Sequence, residues 1–117
     1  MGLFRRKKQP FAAPPEHAVI VRFSLSDDAF GRPEEREAFF ALEETLMAAI
    51  ETAGVGEYDG NEFGGGEAVI YAYGPDADEL FTTMEPHLRG FDARPASCVL
   101  RYGRASDTNV RERRVAL

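Results

Sequence analysis

Two helical patterns that alternate with strand-like runs constrain the fold of this chain more than any other feature of its sequence. The first run, residues 18–25 (AVIVRFSL), alternates apolar residues on one face with Ile20, Arg22 and Ser24 on the other. A helical pattern follows over 33–53, where apolar residues recur at spacings of three and four. The chain then returns to strand-like and helical patterns in turn, which is typical of a sheet covered by helices.

Signals at the helix ends support both helices. Pro33 is suited to a first helical turn, and Gly54 stands where a left-handed residue ends a helix at least cost. Asp76 is a good cap for the second helix, with Glu79 three residues later, and Pro86 predicts that this helix is short or bent. The residues expected to face the core are Phe39, Leu42, Leu46, Ala49, Ile50 and Ala53 in the first helix and Ala77, Leu80, Phe81, Met84 and Leu88 in the second.

The remaining strands complete a recognisable order. Residues 55–63 predict a weak strand, 68–73 a strong one and 97–102 a fourth, while 110–117 (VRERRVAL) form either a fifth edge strand or a loose end. The order strand, helix, strand, strand, helix, strand resembles the ferredoxin-like α+β plait, in which two helices cover one face of a four-stranded antiparallel sheet. The chain also resembles small uncharacterised bacterial proteins with a GGGEAVIYAYGPDADELF-like core. Neither resemblance implies a function.

Length and charge divide the chain into two unequal parts. Residues 1–16 contain a basic cluster and three prolines without sustained periodicity, so we expect a flexible leader, and 17–117 are expected to form a single domain. The basic cluster at 5–8 contributes +4 to the net charge of −6, which leaves −10 on the rest of the chain. A body this acidic repels nucleic acid and favours basic partners or simple solubility.

A few individual residues argue against several functional classes of protein. Cys98 is the only cysteine, so disulfides and paired-cysteine metal sites are excluded, and we expect a buried thiol in a cytoplasmic protein. The positions where RNA-recognition domains carry sheet aromatics hold Ala68 and Ile70. His17 and His87 are far apart in sequence and lack a ligand pattern. We therefore expect no cofactor, no metal, no nucleic acid and no membrane partner.

The glycine run GGG at 64–66 allows three interpretations. A phosphate cradle requires glycines directly before a helix, whereas these precede a strand and are flanked by Glu62 and Glu67. A metal loop using Asp59, Glu62 and Glu67 lacks the spacing of calcium loops. We therefore expect a mobile hairpin connection without a bound anion.

One set of residues favours a binding function. Strand alternation predicts that the sheet face opposite the helices carries aliphatic, tyrosine and arginine side chains, a composition typical of association surfaces. The candidate partner-binding residues are Ile20, Arg22, Val69, Tyr71, Tyr73, Val99 and Arg101. An equally good interpretation of the same pattern is that this sheet face is partly exposed to solvent, with the tyrosine hydroxyls in water.

We expect a non-catalytic association module that pairs through this face with itself, as a homodimer, or with a protein partner. Two alternatives remain open. The chain is an acidic inhibitor or immunity-type protein, or it is a small enzyme or ligand-sensing domain that uses the acidic, glycine-rich segment at 59–67.

Overall fold

The described part of the chain, residues 16–104 and 107–117 of a computed structural model, is an α+β fold with two helices and one five-stranded antiparallel sheet. Of the predicted leader, 1–16, all but Glu16 lies outside the described residues. No helix within those described ranges is both long enough and apolar enough to cross a membrane. The elements in chain order are β1 (His17–Ser24), α1 (Pro33–Ala53), β2 (Glu57–Gly64), β3 (Glu67–Gly74), α2 (Ala77–Arg89), β4 (Ala96–Arg101) and β5 (Glu112–Ala116).

The strands lie in the order β2-β3-β1-β4-β5, so β1 is the central strand and β2 and β5 are the edges. The sequence left the fate of the C-terminal residues open. They form a fifth strand that pairs with β4, from Ser97 opposite Ala116 to Arg101 opposite Glu112. The sheet is therefore one strand larger than the four strands of the predicted plait.

The two helices pack on the face of the sheet that carries the alternate apolar residues of each strand. Val19, Val21 and Phe23 of β1 are fully buried there, and the rings of Phe39 and Phe91 contact Phe23 edge-on. This burial supplies the main stabilisation of the fold, because apolar surface removed from water contributes roughly 25 cal/mol per Å². The other core residues on the sheet are Ala68, Ile70 and Ala72 of β3 and Ala96, Cys98 and Leu100 of β4.

The helix ends follow the predicted signals. Gly54 adopts the left-handed conformation at the end of α1, and the Asp76 side chain accepts hydrogen bonds from the first turn of α2. Helix α2 continues past Pro86 to Arg89, because a proline in the last turn removes only one of the helical hydrogen bonds. All five predicted core residues of α2 are buried, but in α1 the buried stripe ends at Ile50 and leaves Ala53 exposed.

Candidate functional site

The face of the sheet opposite the helices, here called the open face, brings together all seven predicted partner-binding residues. Ile20 of the central strand lies between Tyr71 of β3 and Val99 of β4. Residues paired directly across antiparallel strands point to the same face, so the register fixes which side chains are neighbours. The rows are Glu57, Tyr73, Ala18, Arg101 and Glu112, then Gly60, Tyr71, Ile20, Val99 and Arg114, then Glu62, Val69, Arg22, Ser97 and Ala116.

The centre of the open face is apolar and only partly covered. Val69 is 5% exposed, while the side chains of Ile20, Tyr71 and Val99 are half-buried. Both helices of the described chain pack on the other face of the sheet. The open face is therefore covered by its own side chains or by atoms that do not belong to the two helices. A contiguous apolar centre of this kind is typical of interaction sites.

Hydrogen bonds and ion pairs surround that centre. The Tyr71 hydroxyl donates to Glu62 Oε1 at 2.8 Å, and this hydrogen bond is the largest cause that raises the pKa of Tyr71 above its usual value. Arg22 lies 3.3 Å from Glu67, with both side chains about half exposed. The polar groups of the open face are thus arranged as a rim around an apolar core, as in protein interfaces.

Arg101 is held more firmly than Arg22 at the opposite side of this rim. Its guanidinium lies 2.6 Å from Glu112 and also donates to the backbone oxygen of Asp107 at 2.9 Å. The Arg101 side chain is only 20% exposed. It therefore fixes β5 and the segment before it against β4, and does so on the face that carries the candidate site.

The glycine run is a hairpin turn between β2 and β3, as predicted. Gly65 and Gly66 have φ angles of 60° and 82°, and two consecutive positive φ values define the turn that matches the twist of paired strands. The turn is tied to the loop before α1, because Gly66 donates to Ala29 O at 2.9 Å and accepts from Leu25 N–H at 2.8 Å. A Cβ at Gly66 would lie 2.9 Å from Asp27 O, so this glycine is also required by close backbone approach. The prediction of a mobile connection did not include these hydrogen bonds to the loop before α1.

The acidic residues of the alternative ligand site are only partly brought together. Glu62 and Glu67 line a shallow depression of 330 Å³ beside Arg22, but each carboxylate already accepts a hydrogen bond from a side chain of this chain. Asp59 is the extra residue of a bulge in β2 and does not line the depression. Across residues 16–104 and 107–117, no group of three or more histidine, cysteine or acidic residues is placed to hold a metal ion.

The histidines and the cysteine occupy separate places. His17 Nδ1 accepts a hydrogen bond from the N–H of Ala77 at 3.1 Å, so this ring helps to satisfy the first turn of α2. His87 lies in a shallow groove between the two helices. Burial raises the pKa of the Cys98 thiol to about 12, which agrees with the predicted structural thiol.

One buried polar cluster was not predicted. Glu43 is not among the residues of the first helix expected to face the core, yet it is 8% exposed and accepts hydrogen bonds from the Tyr58 hydroxyl and, at 2.6 Å, from Asn61 Nδ2. Burial and the Glu43 carboxylate raise the pKa of Tyr58 far above its usual value. The cluster joins the edge strand β2 to α1. The tyrosine and asparagine on the core side of an otherwise polar strand were the available signal.

No protein-family model matches the sequence, and a search of curated proteins finds no match. Among solved structures, the chain is similar to Rv0793 from Mycobacterium tuberculosis, with a TM-score of 0.51 and 22% sequence identity over 73% of this chain and 91% of that one. At this identity the likeness concerns the fold alone. A bacterial protein with a similar fold agrees with the resemblance to small bacterial proteins noted in the sequence.

Proposed function

We propose that this chain is a non-catalytic association module that forms a homodimer by packing the open face of its sheet against that of a second copy. The observation that carries the proposal is the apolar centre formed by Ile20, Val69, Tyr71 and Val99 on the face opposite both helices. Two sheets that pack face to face bury such residues in a layer about 10 Å thick.

The proposal names a second copy because the open face is self-complementary in charge. Glu57 and Glu62 lie on β2, whereas Arg101 and Arg114 lie on β4 and β5 together with Glu112, so one face carries charges of both signs. A two-fold dimer needs a surface that fits itself in this way. A surface of one sign would instead favour a different partner with the opposite charge.

The proposal includes a ferredoxin-like plait with an appended fifth strand. The element order without β5 is β-α-β-β-α-β, and both helices lie on one face of the sheet. The likeness in fold to Rv0793 supports a shared architecture. In this plait the other sheet face is left for association, which is the use proposed for it here.

The test is the mass of the protein in solution, measured over a range of protein concentrations for the wild type and for Tyr71→Glu. The wild type is expected to run as a dimer at high concentration, and Tyr71→Glu as a monomer that is still folded by circular dichroism. A buried, unpaired charge in the contact costs several kcal/mol of association free energy. A wild type that stays monomeric at every concentration contradicts the proposal.

A matched control separates the open face from the helical surface. Phe40 of α1 is an aromatic residue that is 48% exposed and lies away from the open face, so Phe40→Glu introduces the same change elsewhere. Phe40→Glu is expected to leave the dimer intact. If Phe40→Glu dissociates the dimer and Tyr71→Glu does not, association runs through the helices.

A further inference from the structure

We propose that the basic leader, residues 1–15, docks on the exposed side of helix α1 in the same chain. The docking surface, here called the α1 stripe, consists of Glu37, Phe40, Glu44, Met47 and Glu51. The inference does not rest on the proposed dimer, because α1 packs on the sheet face opposite the open face.

The α1 stripe is an exposed surface that mixes apolar and acidic side chains. Its five residues follow one another at spacings of three and four, so they lie along one side of the helix, and all of them are exposed. Phe40 is 48% and Met47 45% exposed. The ring of Phe40 also contacts that of Phe63 in β2, with centroids 5.9 Å apart, which widens the apolar surface. Exposed apolar groups rimmed by polar residues are typical of an interaction site.

The glutamates of the α1 stripe have no cation beside them. Within residues 16–104 and 107–117, no side chain forms an ion pair or hydrogen bond with the carboxylates of Glu37, Glu44 and Glu51. Residues 37–88 contain no lysine or arginine, and the guanidinium of Arg36 donates instead to Gly31 O at 2.6 Å. The partial negative charge at the end of a helix adds to that of the glutamates. A segment that carries cations is therefore favoured on this surface.

The leader has the composition that complements the α1 stripe. Its basic cluster at 5–8 is preceded by Leu3 and Phe4 and followed, after two residues, by Phe11. Cations that alternate with apolar groups can pair with the glutamates while the apolar side chains cover those of the stripe. Both the charge and the apolar content of the leader thus match this surface.

The leader also joins the domain close to the end of α1. His17, the first residue of β1, pairs with Gly74 of β3. Gly56, just after α1, packs on the same residue, since a Cβ built on Gly56 would lie 3.1 Å from Gly74 Cα. A chain spans at most about 3.5 Å per residue, so Lys8 can lie up to about 30 Å from His17. The stripe over 37–51 is about 20 Å long at 1.5 Å per residue, and is therefore within reach.

The covalent connection favours the leader of the same chain over that of a second copy. A segment attached through a short linker has an effective concentration in the millimolar range, which is far above that of a second chain in dilute solution. Exposed ion pairs are individually weak, so docked and free leaders are expected to exchange. The flexibility expected from the sequence then describes the free form.

Paramagnetic relaxation enhancement tests the docking. A nitroxide is attached to Gln9→Cys beside the basic cluster, while the native Cys98 is buried and stays unlabelled. In dilute, isotope-labelled protein at low salt, the enhancement should be strongest for the backbone amides of 37–51. It should fall at least about threefold when Glu44→Lys and Glu51→Lys are combined, because both changes replace attraction by repulsion. A similar loss is expected in 1 M salt, which screens exposed charges.

A matched control and a mixed sample complete the test. Glu79→Lys makes the same charge change at an exposed position in the first turn of α2, which is also close to His17, and should leave the enhancement on α1 nearly unchanged. Mixing spin-labelled chains with separate isotope-labelled chains detects only contacts between copies, and should give little enhancement. The proposal is overturned if the mixed sample shows the full enhancement, if α1 shows none, or if the α1 reversals do not reduce it. None of these readouts depends on whether the open face dimerises.

Discussion

The two faces of the central strand β1 differ in how completely the chain itself covers them. Val19, Val21 and Phe23 on one face have no exposed surface, while Ile20 on the other is half-buried and Arg22 is exposed. Both faces are apolar at their centres. The helices therefore cover only one of the two apolar surfaces of the sheet. The second surface is covered by its own side chains, by water or by another molecule.

The largest expected effect on stability comes from a substitution on the face that the helices cover. Phe23→Ala removes a fully buried ring that contacts Phe39 and Phe91, and the resulting cavity should lower the free energy of unfolding by about 3–5 kcal/mol. Ile20→Ala, the neighbouring substitution on the open face, should cost less than half as much in dilute solution. Urea unfolding of both variants measures the contrast. Equal losses at low protein concentration would show that the two faces are equally covered within one chain.

The sequence was sufficient for the covered face because its signals are local and mutually consistent. The alternation in β1, the three-and-four spacing in α1 and the caps at Gly54 and Asp76 each specify an element without reference to the others. Glu43 escaped prediction because its burial depends on donors that lie 15 and 18 residues away in β2. A helical pattern cannot reveal a partner that only the tertiary fold supplies.

The candidate site was predictable as a set of residues but not in its interactions. Alternation placed Ile20, Tyr71 and Val99 together from sequence. The pairing of Tyr71 with Glu62, and the tethering of Gly66 to Ala29, depend on the register and on loop positions that no periodic pattern encodes.

An intermediate effect is expected from removing one hydroxyl on each face. Tyr58→Phe removes one of the hydrogen-bond donors of the buried Glu43 carboxylate and keeps Asn61, so the free energy of unfolding should fall by about 1–3 kcal/mol at neutral pH. Tyr71→Phe, on the open face, removes a hydroxyl whose partner Glu62 is exposed to water, and should cost under about 1 kcal/mol. Thermal unfolding of dilute samples compares the two variants.

Comparison of the wild type with Tyr58→Phe also predicts how the stability of the fold depends on pH. Because the pKa of Tyr58 is raised in the folded chain, by burial and then by Glu43, the folded protein keeps this proton at pH values where the unfolded chain loses it, above about 10. The contribution is complete below that pH and is lost as the pH rises further. Wild-type stability should therefore fall more steeply between pH 9 and 11 than that of Tyr58→Phe. Cys98 titrates in both proteins, so it does not affect the comparison. If the stability of the two proteins falls equally over this pH range, the raised pKa of Tyr58 is contradicted.

The smallest expected effect reports directly on whether the open face is covered. Arg22 and Glu67 lie 3.3 Å apart with half-exposed side chains, and exposed pairs of this kind contribute about 0–1 kcal/mol. A double-mutant cycle with Arg22→Ala, Glu67→Ala and the combined variant measures their coupling by urea unfolding. In dilute solution, where single chains predominate, the coupling should stay within that range. At concentrations where the proposed dimer forms, water is removed from around the pair, the effective dielectric constant falls and the coupling should increase. A coupling that is the same at both concentrations, in a protein that dimerises, would show that this part of the face stays in water and that the contact lies elsewhere.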